Sequence, residues 1–387
     1  MANEKLSEAK RAKNDEFFTQ FEDIQKEINA YLEYNPNVFE NKVIFLPCDD
    51  PEWSNFTKYF AQNFERFKLK KLISTSYAPA SKLFKFLKQP TLFEINSDQF
   101  DKSKASTKGK IFTLSSDINN DNKINVNDLQ WEYLSGDGDF RSTEVLKLRD
   151  EADIVITNPP FSLFREFMFW VAEAELKFAV IGNMNAITYK EIFPLIKMNK
   201  IWLGATNFNK GMYFKVPDDF IYAESYKFER ERDGQKINRV PGVCWFTNLD
   251  HGRRHQPLPL MNMKDNLRFS KHTEIKGQKN YIQYKNYDAI EIPFADAIPS
   301  DYDGIMGVPI SFLDKYNPEQ FEIVGMCENA DLYGLKTKFY TSKECKDAYQ
   351  KKFGKPGQYD LNASGVIMRD GLLEKVYQRI LIRHRKN

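Results

Sequence analysis

The chain has 387 residues, 42% hydrophobic and 28% charged, and its 56 basic and 54 acidic residues leave a formal net charge of +2. This balance excludes a disordered, collagenous or coiled-coil chain and a uniformly basic coat, although a local basic face can still meet nucleic acid. The length suggests about two or three domains at roughly 150 residues each, and no run reaches the ~18 apolar residues of a membrane helix.

The polar start, MANEKLSEAKRAKNDEFF, lacks an apolar signal core. Within Glu4–Tyr34, Phe17, Phe21, Ile24, Ile28 and Leu32 stand at helical spacing, so part of this segment reads as a helix. Lys42–Leu46 is a compact apolar strand that stops at the Pro47–Pro51 loop, and Phe56, Tyr59, Phe60 and Phe64 then mark a helix. Lys71–Thr75 reads as a strand and Ser81–Leu87 as helical or irregular. Residues 97–130, rich in Asp, Asn, Ser and Lys, read as a polar insertion. Glu132–Leu134 reads as a short strand before Gly136–Phe140. Ala152–Thr157 is a clear strand that runs into Asn158–Phe161, after which Ser162 can cap a helix over Leu163–Glu175. Phe178–Ile181 reads as a strand, Tyr189–Met198 as a helix, and Ile201–Leu203 and Val243–Thr247 as strands. Such alternation predicts an α/β fold with a parallel or mostly parallel sheet covered on both faces, in which ligands bind beyond the carboxyl ends of the strands. After about residue 250 the pattern changes to alternating aromatics (Tyr281, Tyr284, Tyr287) and Pro/Gly turns, which places a domain boundary there: 1–250 and 251–387.

The most specific signal is Asn158-Pro159-Pro160-Phe161, placed between a strand and a helix. Taken blandly it is a rigid turn, because two prolines fix φ and remove donors. It also suits methylation of a planar amine, a difficult step because the lone pair is delocalised. The Asn158 side-chain oxygen and the Pro159 carbonyl can accept both amine hydrogens, favour pyramidal nitrogen and stabilise developing positive charge. Pro159 and Pro160 hold that carbonyl fixed, and Phe161 can stack on an extruded base. A methyl donor needs its own loop. A plain GxGxxG is absent, and Cys48-Asp49-Asp50-Pro51 stands after the first strand instead. The bland reading of that loop is an N-cap by Asp50 before Pro51. In Gly136-Asp-Gly-Asp139-Phe140, Asp139 can accept from an adenine amine and Phe140 can pack on its ring, although such a sequence often simply turns.

Taken together, these blocks resemble the adenine-specific DNA methyltransferases, and more narrowly the EcoRI-type modification methylase family. The matching segments are Lys13–Thr19, the Pro47–Pro51 loop with Ser54–Phe56, Gly136–Ser142, Asp153–Ser162, Asp301–Pro309 and Phe312–Pro318. The resemblance implies a class I S-adenosylmethionine-dependent methyltransferase fold, Rossmann-like, with an added DNA-recognition region after residue 250. It also implies S-adenosylmethionine as donor, double-stranded DNA as substrate and a flipped target adenine, either in restriction-modification with a paired restriction endonuclease of the same specificity or as an orphan methylase. By the same resemblance Phe17 and Thr19 border the methionine part of the cofactor. Cys48, Asp49 and Asp50 hold its amino-acid and ribose end, and Asp139 and Phe140 bind its adenine. The usual FxGxG loop is replaced here.

Other features read more blandly. Asp117–Asp128 mimics a calcium loop, with oxygen side chains at loop positions 1, 3, 5, 9 and 12, but it lacks the glycine at 6 and the glutamate at 12. No metal is expected, and four histidines leave little for a His-based site. Cysteines 48, 244, 327 and 345 form no CxxC pair, which points to a reducing cytoplasm. Arg253, Arg254 and Lys285 can meet phosphates or serve as solvated surface charge. Asn-Pro-Pro-aromatic also suits adenine in RNA or a protein glutamine amide, and a catalytically silent DNA-binding module is a further alternative.

Overall fold

The computed structural model describes residues 18–49, 54–78, 95, 97–206, 208, 210–215, 228–230 and 236–385. The chain divides into two compact units, Met1–Gly252 and Arg253–Asn387. Unit 1 runs β1 (Phe18–Thr19), α1 (Phe21–Tyr34), β2 (Val43–Leu46), α2 (Asn55–Gln62), β3 (Lys71–Ser76), β4 (Lys110–Leu114), β5 (Gln130–Tyr133), α3 (Thr143–Glu151), β6 (Ile154–Thr157), α4 (Phe164–Glu173), β7 (Lys177–Asn183), α5 (Phe193–Lys197), β8 (Trp202–Leu203), β9 (Met212–Lys215), β10 (Phe228–Arg230), β11 (Lys236–Val240) and β12 (Val243–Thr247). One sheet takes the order β5-β4-β3-β2-β6-β7-β12-β8, and a smaller one the order β1-β9-β11-β10.

Within the large sheet, β3, β2, β6 and β7 are parallel neighbours. Strands β4, β5, β12 and β8 extend it antiparallel on either side. Strands β2 and β6 are near-continuous apolar runs, as strands buried on both faces must be, and β3 ends in the buried hydroxyl run Ser74–Ser76. Period-two alternation sorts their side chains. Ile44, Leu46, Ile154 and Ile156 join the core with Ile24, Ile28 and Tyr31 of α1 and Phe56, Tyr59 and Phe60 of α2. Phe45 of the same β2 meets Trp170 of α4 at 6.4 Å between ring centres, and Phe164 meets Phe246 at 5.1 Å. Helices therefore cover both faces. At Gly182 in β7 a Cβ would lie 2.3 Å from the Phe164 ring, so only glycine lets α4 approach this closely.

Several elements differ from the sequence expectation. The polar stretch 97–130 contains β4, a full member of the sheet whose Ile111, Phe112 and Leu114 are buried. Its flanks are hydrophilic enough to hide five residues of strand. Helix α3 and strands β9–β11 have no counterpart in the sequence reading. Ser162 does not cap a helix: it lies inside a 3-10 turn, Phe161–Leu163, and α4 begins at Phe164. Helix α5 is shorter than Tyr189–Met198 and carries Pro194 in its first turn, where a missing N–H costs nothing. Residues 81–87, Phe17 and Asp50 lie outside the described residues. In the Asp117–Asp128 loop the carboxylates accept backbone N–H groups. Asp117 takes those of Asp121 and Asn122, and Asp128 takes those of Ile118, Asn119 and Asn125.

Unit 2 contains α6 (Met263–Phe269), β13 (Ala289–Glu291), β14 (Ile305–Pro309), β15 (Phe321–Met326), α7 (Ser342–Phe353), β16 (Val366–Arg369), β17 (Leu372–Lys375) and β18 (Arg379–His384). Its sheet has the order β13-β14-β18-β15, and β16 and β17 form a hairpin. The alternating Tyr281, Tyr284 and Tyr287 are all buried. Inside this unit Arg379 donates to Glu291, Nη2 to Oε1 at 2.6 Å and Nε to both oxygens at 3.1 Å. Tyr284 adds its hydroxyl to the same carboxylate. No helix among the described residues is long and apolar enough to cross a membrane.

Candidate active site

In a parallel sheet the carboxyl ends of neighbouring strands share one edge. The order β3-β2-β6 therefore sets three loops side by side: the one after Ser76, the one after Leu46, and Asn158–Phe161 after Thr157. This adjacency is the core of the site.

The Asn158–Phe161 turn starts from a fully buried Thr157. The Leu163 N–H donates to the Pro160 carbonyl at 2.9 Å and closes the turn. Asn158 is half-buried and its Oδ1 is shielded from solvent. Pro159 is buried, and Phe161 is half-buried with its ring against the hydrophobic core. A rigid backbone, an amide oxygen and an aromatic edge thus share one short loop.

The loop after β2 is tied down at several points. Asp49 is buried; its Oδ1 accepts from Ser54 Oγ at 2.7 Å and its Oδ2 from Thr157 Oγ1 at 2.6 Å. Its N–H donates to the Thr75 carbonyl at 3.1 Å, and its own carbonyl accepts from Thr57 Oγ1 at 3.1 Å and from Ser74 Oγ. Ser54 also caps α2, accepting from the Phe56 N–H at 3.1 Å. Cys48 beside it is partly exposed and in no disulfide. Thr19 is buried next to the same helix start, with its carbonyl accepting from Asn55 Nδ2 at 2.7 Å.

The Gly136–Phe140 segment meets the end of β3. Ala78 N–H donates to the Asp137 carbonyl at 2.7 Å. Gly138 has φ +84°, and a Cβ there would lie 2.3 Å from the Ser76 carbonyl, so the motif needs glycine on both counts. Asp139 is paired with Arg141, Nη2 to Oδ2 at 2.7 Å and Nε to Oδ1 at 2.9 Å. Burial opposes its charge, yet the hydrogen bonds from Arg141 hold its carboxyl below the ordinary range. Phe140 is fully buried, its ring 5.3 Å from Phe167 and 5.7 Å from Trp170. It anchors the segment on α4, while Asp137 is exposed and Asp139 only partly so.

Two residues that the sequence reading passed over belong to this site. Tyr77 follows β3 directly; burial, then the charges of Cys48 and Asp139, push its phenol well above the ordinary value. Thr157 is the other. A signal was available for both, since each immediately follows or ends a parallel strand. Among the described residues, Thr19 Oγ1 and Ser76 Oγ are buried hydroxyls with no hydrogen-bond partner. Buried polar atoms are normally satisfied, so this edge fits a polar ligand.

The three cations expected at phosphates differ in setting. Arg253 is paired with Asp314 at 2.5 Å, and Arg254 is 6% exposed. Lys285 is exposed and lines a groove of about 580 Å³ with Lys338, Tyr340 and Lys351.

Comparison with known proteins bears on all of this. The model of the family described as adenine-specific methyltransferase EcoRI matches residues 5–385. Type II methyltransferase M.EcoRI of Escherichia coli is 40% identical over 332 residues, 85% of this chain and 91% of that protein. Type II methyltransferase M.MgeORF184P of Mycoplasma genitalium is 37% identical over 86% of this chain and 90% of its own length. Type II methyltransferase M.MpnI of Mycoplasma pneumoniae is 34% identical over 87% and 90%. No solved structure matches the chain.

Proposed function

The chain belongs to the EcoRI family of adenine-specific methyltransferases, and from that premise we propose that it methylates the 6-amino group of a flipped adenine in double-stranded DNA. The observation that carries the reading is Asn158–Phe161 at the carboxyl end of β6, beside the β2 loop in the centre of the parallel strands. S-adenosylmethionine, when bound, supplies an electrophilic methyl group.

Asn158 Oδ1 and the Pro159 carbonyl accept the two amine hydrogens and draw the nitrogen out of conjugation. Pro160 keeps that carbonyl aimed, and Phe161 stacks on the base face. When bound, the donor would present its methyl group in line with that nitrogen and leave as the neutral thioether, while Asn158 Oδ1 and the Pro159 carbonyl hold the amine hydrogens and the released proton passes to solvent. Thr19 and the Cys48–Asp49 loop would hold the cofactor's methionine and ribose end, and Asp139 its adenine, with Phe140 bracing that segment from beneath. Phe17 and Asp50 belong to this set by resemblance. The unsatisfied Thr19 and Ser76 hydroxyls support the assignment of this edge to the donor.

Unit 2 serves DNA recognition, with Lys285 and Lys351 meeting phosphates; the pairing of Arg253 and the burial of Arg254 favour structural roles for those two. The Type II designation of the relatives supports a cognate restriction endonuclease as functional partner, in the cytoplasm. The test is to express the chain in cells that lack adenine methylation and sequence their DNA by a modification-sensitive single-molecule method. Methyladenine confined to one short motif is expected. Unmodified DNA, with soluble protein that binds S-adenosylmethionine, would move the acceptor to RNA or a protein amide.

A further inference from the structure

Asp49 and Thr157 are 108 residues apart and joined by a 2.6 Å hydrogen bond between a buried carboxylate and a buried hydroxyl. The two ends of this bond matter for different reasons. Thr157 is the last residue of β6, and its neighbour is Asn158. Asp49 sits in the loop after β2, and its other carboxylate oxygen takes the hydroxyl of Ser54, the cap of α2. The Asp49 carbonyl and N–H are fixed to Thr57, Ser74 and Thr75. These bonds of Asp49 run to other parts of the protein frame. A single side chain connects the donor loop, the start of α2 and the strand that carries Asn158.

We infer that Asp49 is a positioning residue, acting through Thr157 to hold the Asn158 amide in register with the donor loop. This rests on the proposed function above. Register of this kind is where small displacements are costly, because transfer requires reacting atoms about 3–3.5 Å apart and in line. Strand pairing alone does not supply the link: β2 pairs with β6 at Ile44–Ile154 and Phe45–Val155, and the ladder stops short of both loops. The Asp49–Thr157 bond extends the connection beyond the last paired rung, to the residues that do the chemistry.

The test uses the full chain with a DNA duplex carrying its recognition site. Thr157→Val keeps the shape of the side chain and removes the hydroxyl. It should slow single-turnover methyl transfer about 10- to 100-fold, the scale of a misplacement near 1 Å. The calorimetric Kd for S-adenosylmethionine and the Kd for DNA should stay close to wild type, and the thermal midpoint should fall by a few degrees while the protein stays folded at the assay temperature. Thr157→Ser, which restores the donor, should recover most of the rate. Asp49→Asn reports from the other end of the same bond, and the Asp49→Asn/Thr157→Val pair should be no slower than the slower single variant, as for groups acting as one unit. The inference is overturned if Thr157→Val transfers at the wild-type rate, if its rate loss is matched by a loss of cofactor affinity, or if Thr157→Ser is equally slow. A wild-type chain that binds S-adenosylmethionine but methylates no DNA overturns the functional reading itself, and is thereby told apart from those results.

Discussion

Both units bury charged or polar groups, and they use them differently. In unit 1 one group of them, Asp49, Ser54, Thr57, Ser74 and Thr157, gathers at the carboxyl edge of the parallel strands and ties the β2 loop to its neighbours. In unit 2 the buried Glu291, at the end of β13, and Arg379, at the start of β18, form an ion pair across β14, and Tyr284 adds its hydroxyl to it. A buried polar network that ties loops together around a site fixes its geometry, whereas one that ties two strands to each other fixes which strands belong together. Breaking the second should cost stability, and disturbing the first should cost rate.

The largest effect expected on that contrast is in unit 2. Arg379→Met strands the Glu291 carboxylate in an apolar interior, which costs about 3–5 kcal/mol for a broken buried pair. Denaturant unfolding of the full chain should show the loss, and Glu291→Leu together with Arg379→Leu should regain much of it. Next comes Asn158→Ala in unit 1. It removes one preorganised acceptor and should lower turnover by about 10²–10³, while the thermal midpoint and cofactor affinity hold. A variant with near-normal turnover would remove Asn158 from the chemistry. Phe161→Ala follows, since stacking on one base is worth about 1–3 kcal/mol. Fluorescence of 2-aminopurine at the target position should report weaker capture of the flipped base, with overall DNA affinity reduced less; equal losses would argue against stacking.

The smallest effect sharpens the contrast from the surface. Glu344 caps α7, and the Thr341 N–H, followed by the Lys338 ammonium, lowers its carboxyl from an ordinary 4.5 to about 2. A lowered folded-state value means that this contribution is present above about pH 4.5 and is lost as pH falls toward 2. Carbon-detected titration should find the Glu344 midpoint near there, and Glu344→Gln should flatten that part of the acid unfolding curve slightly.

The sheet of unit 1 was legible where the physics is local. Val43–Leu46, Ile154–Thr157 and Val243–Thr247 are dense apolar runs bounded by turn residues, and each is a strand. Lys110–Leu114 escaped because its burial comes from neighbours that are distant in sequence, while its flanks are polar. Helix α3 buries only Val145 and Arg149, so its periodicity is faint. In the candidate site, Asn158–Phe161 stood out because few sequences place two prolines between a strand and a helix. The bond between Asp49 and Thr157 left no trace, since nothing in either local sequence specifies a partner 108 residues away. The same holds for Glu291 and Arg379, 88 residues apart.

The position of β12 has a consequence for how the molecule can be made. Synthesised after β2 to β8, this strand lies between β7 and β8, and among the described residues β8 has no other strand neighbour in the sheet. β1, near the start of the chain, likewise pairs with β9 some 200 residues later. A ribosome-bound nascent chain therefore carries an open β7 edge and an unplaced β8 until Thr247 has left the exit tunnel. Any product truncated before that residue lacks the means to close its sheet, however complete its Asn158–Phe161 loop.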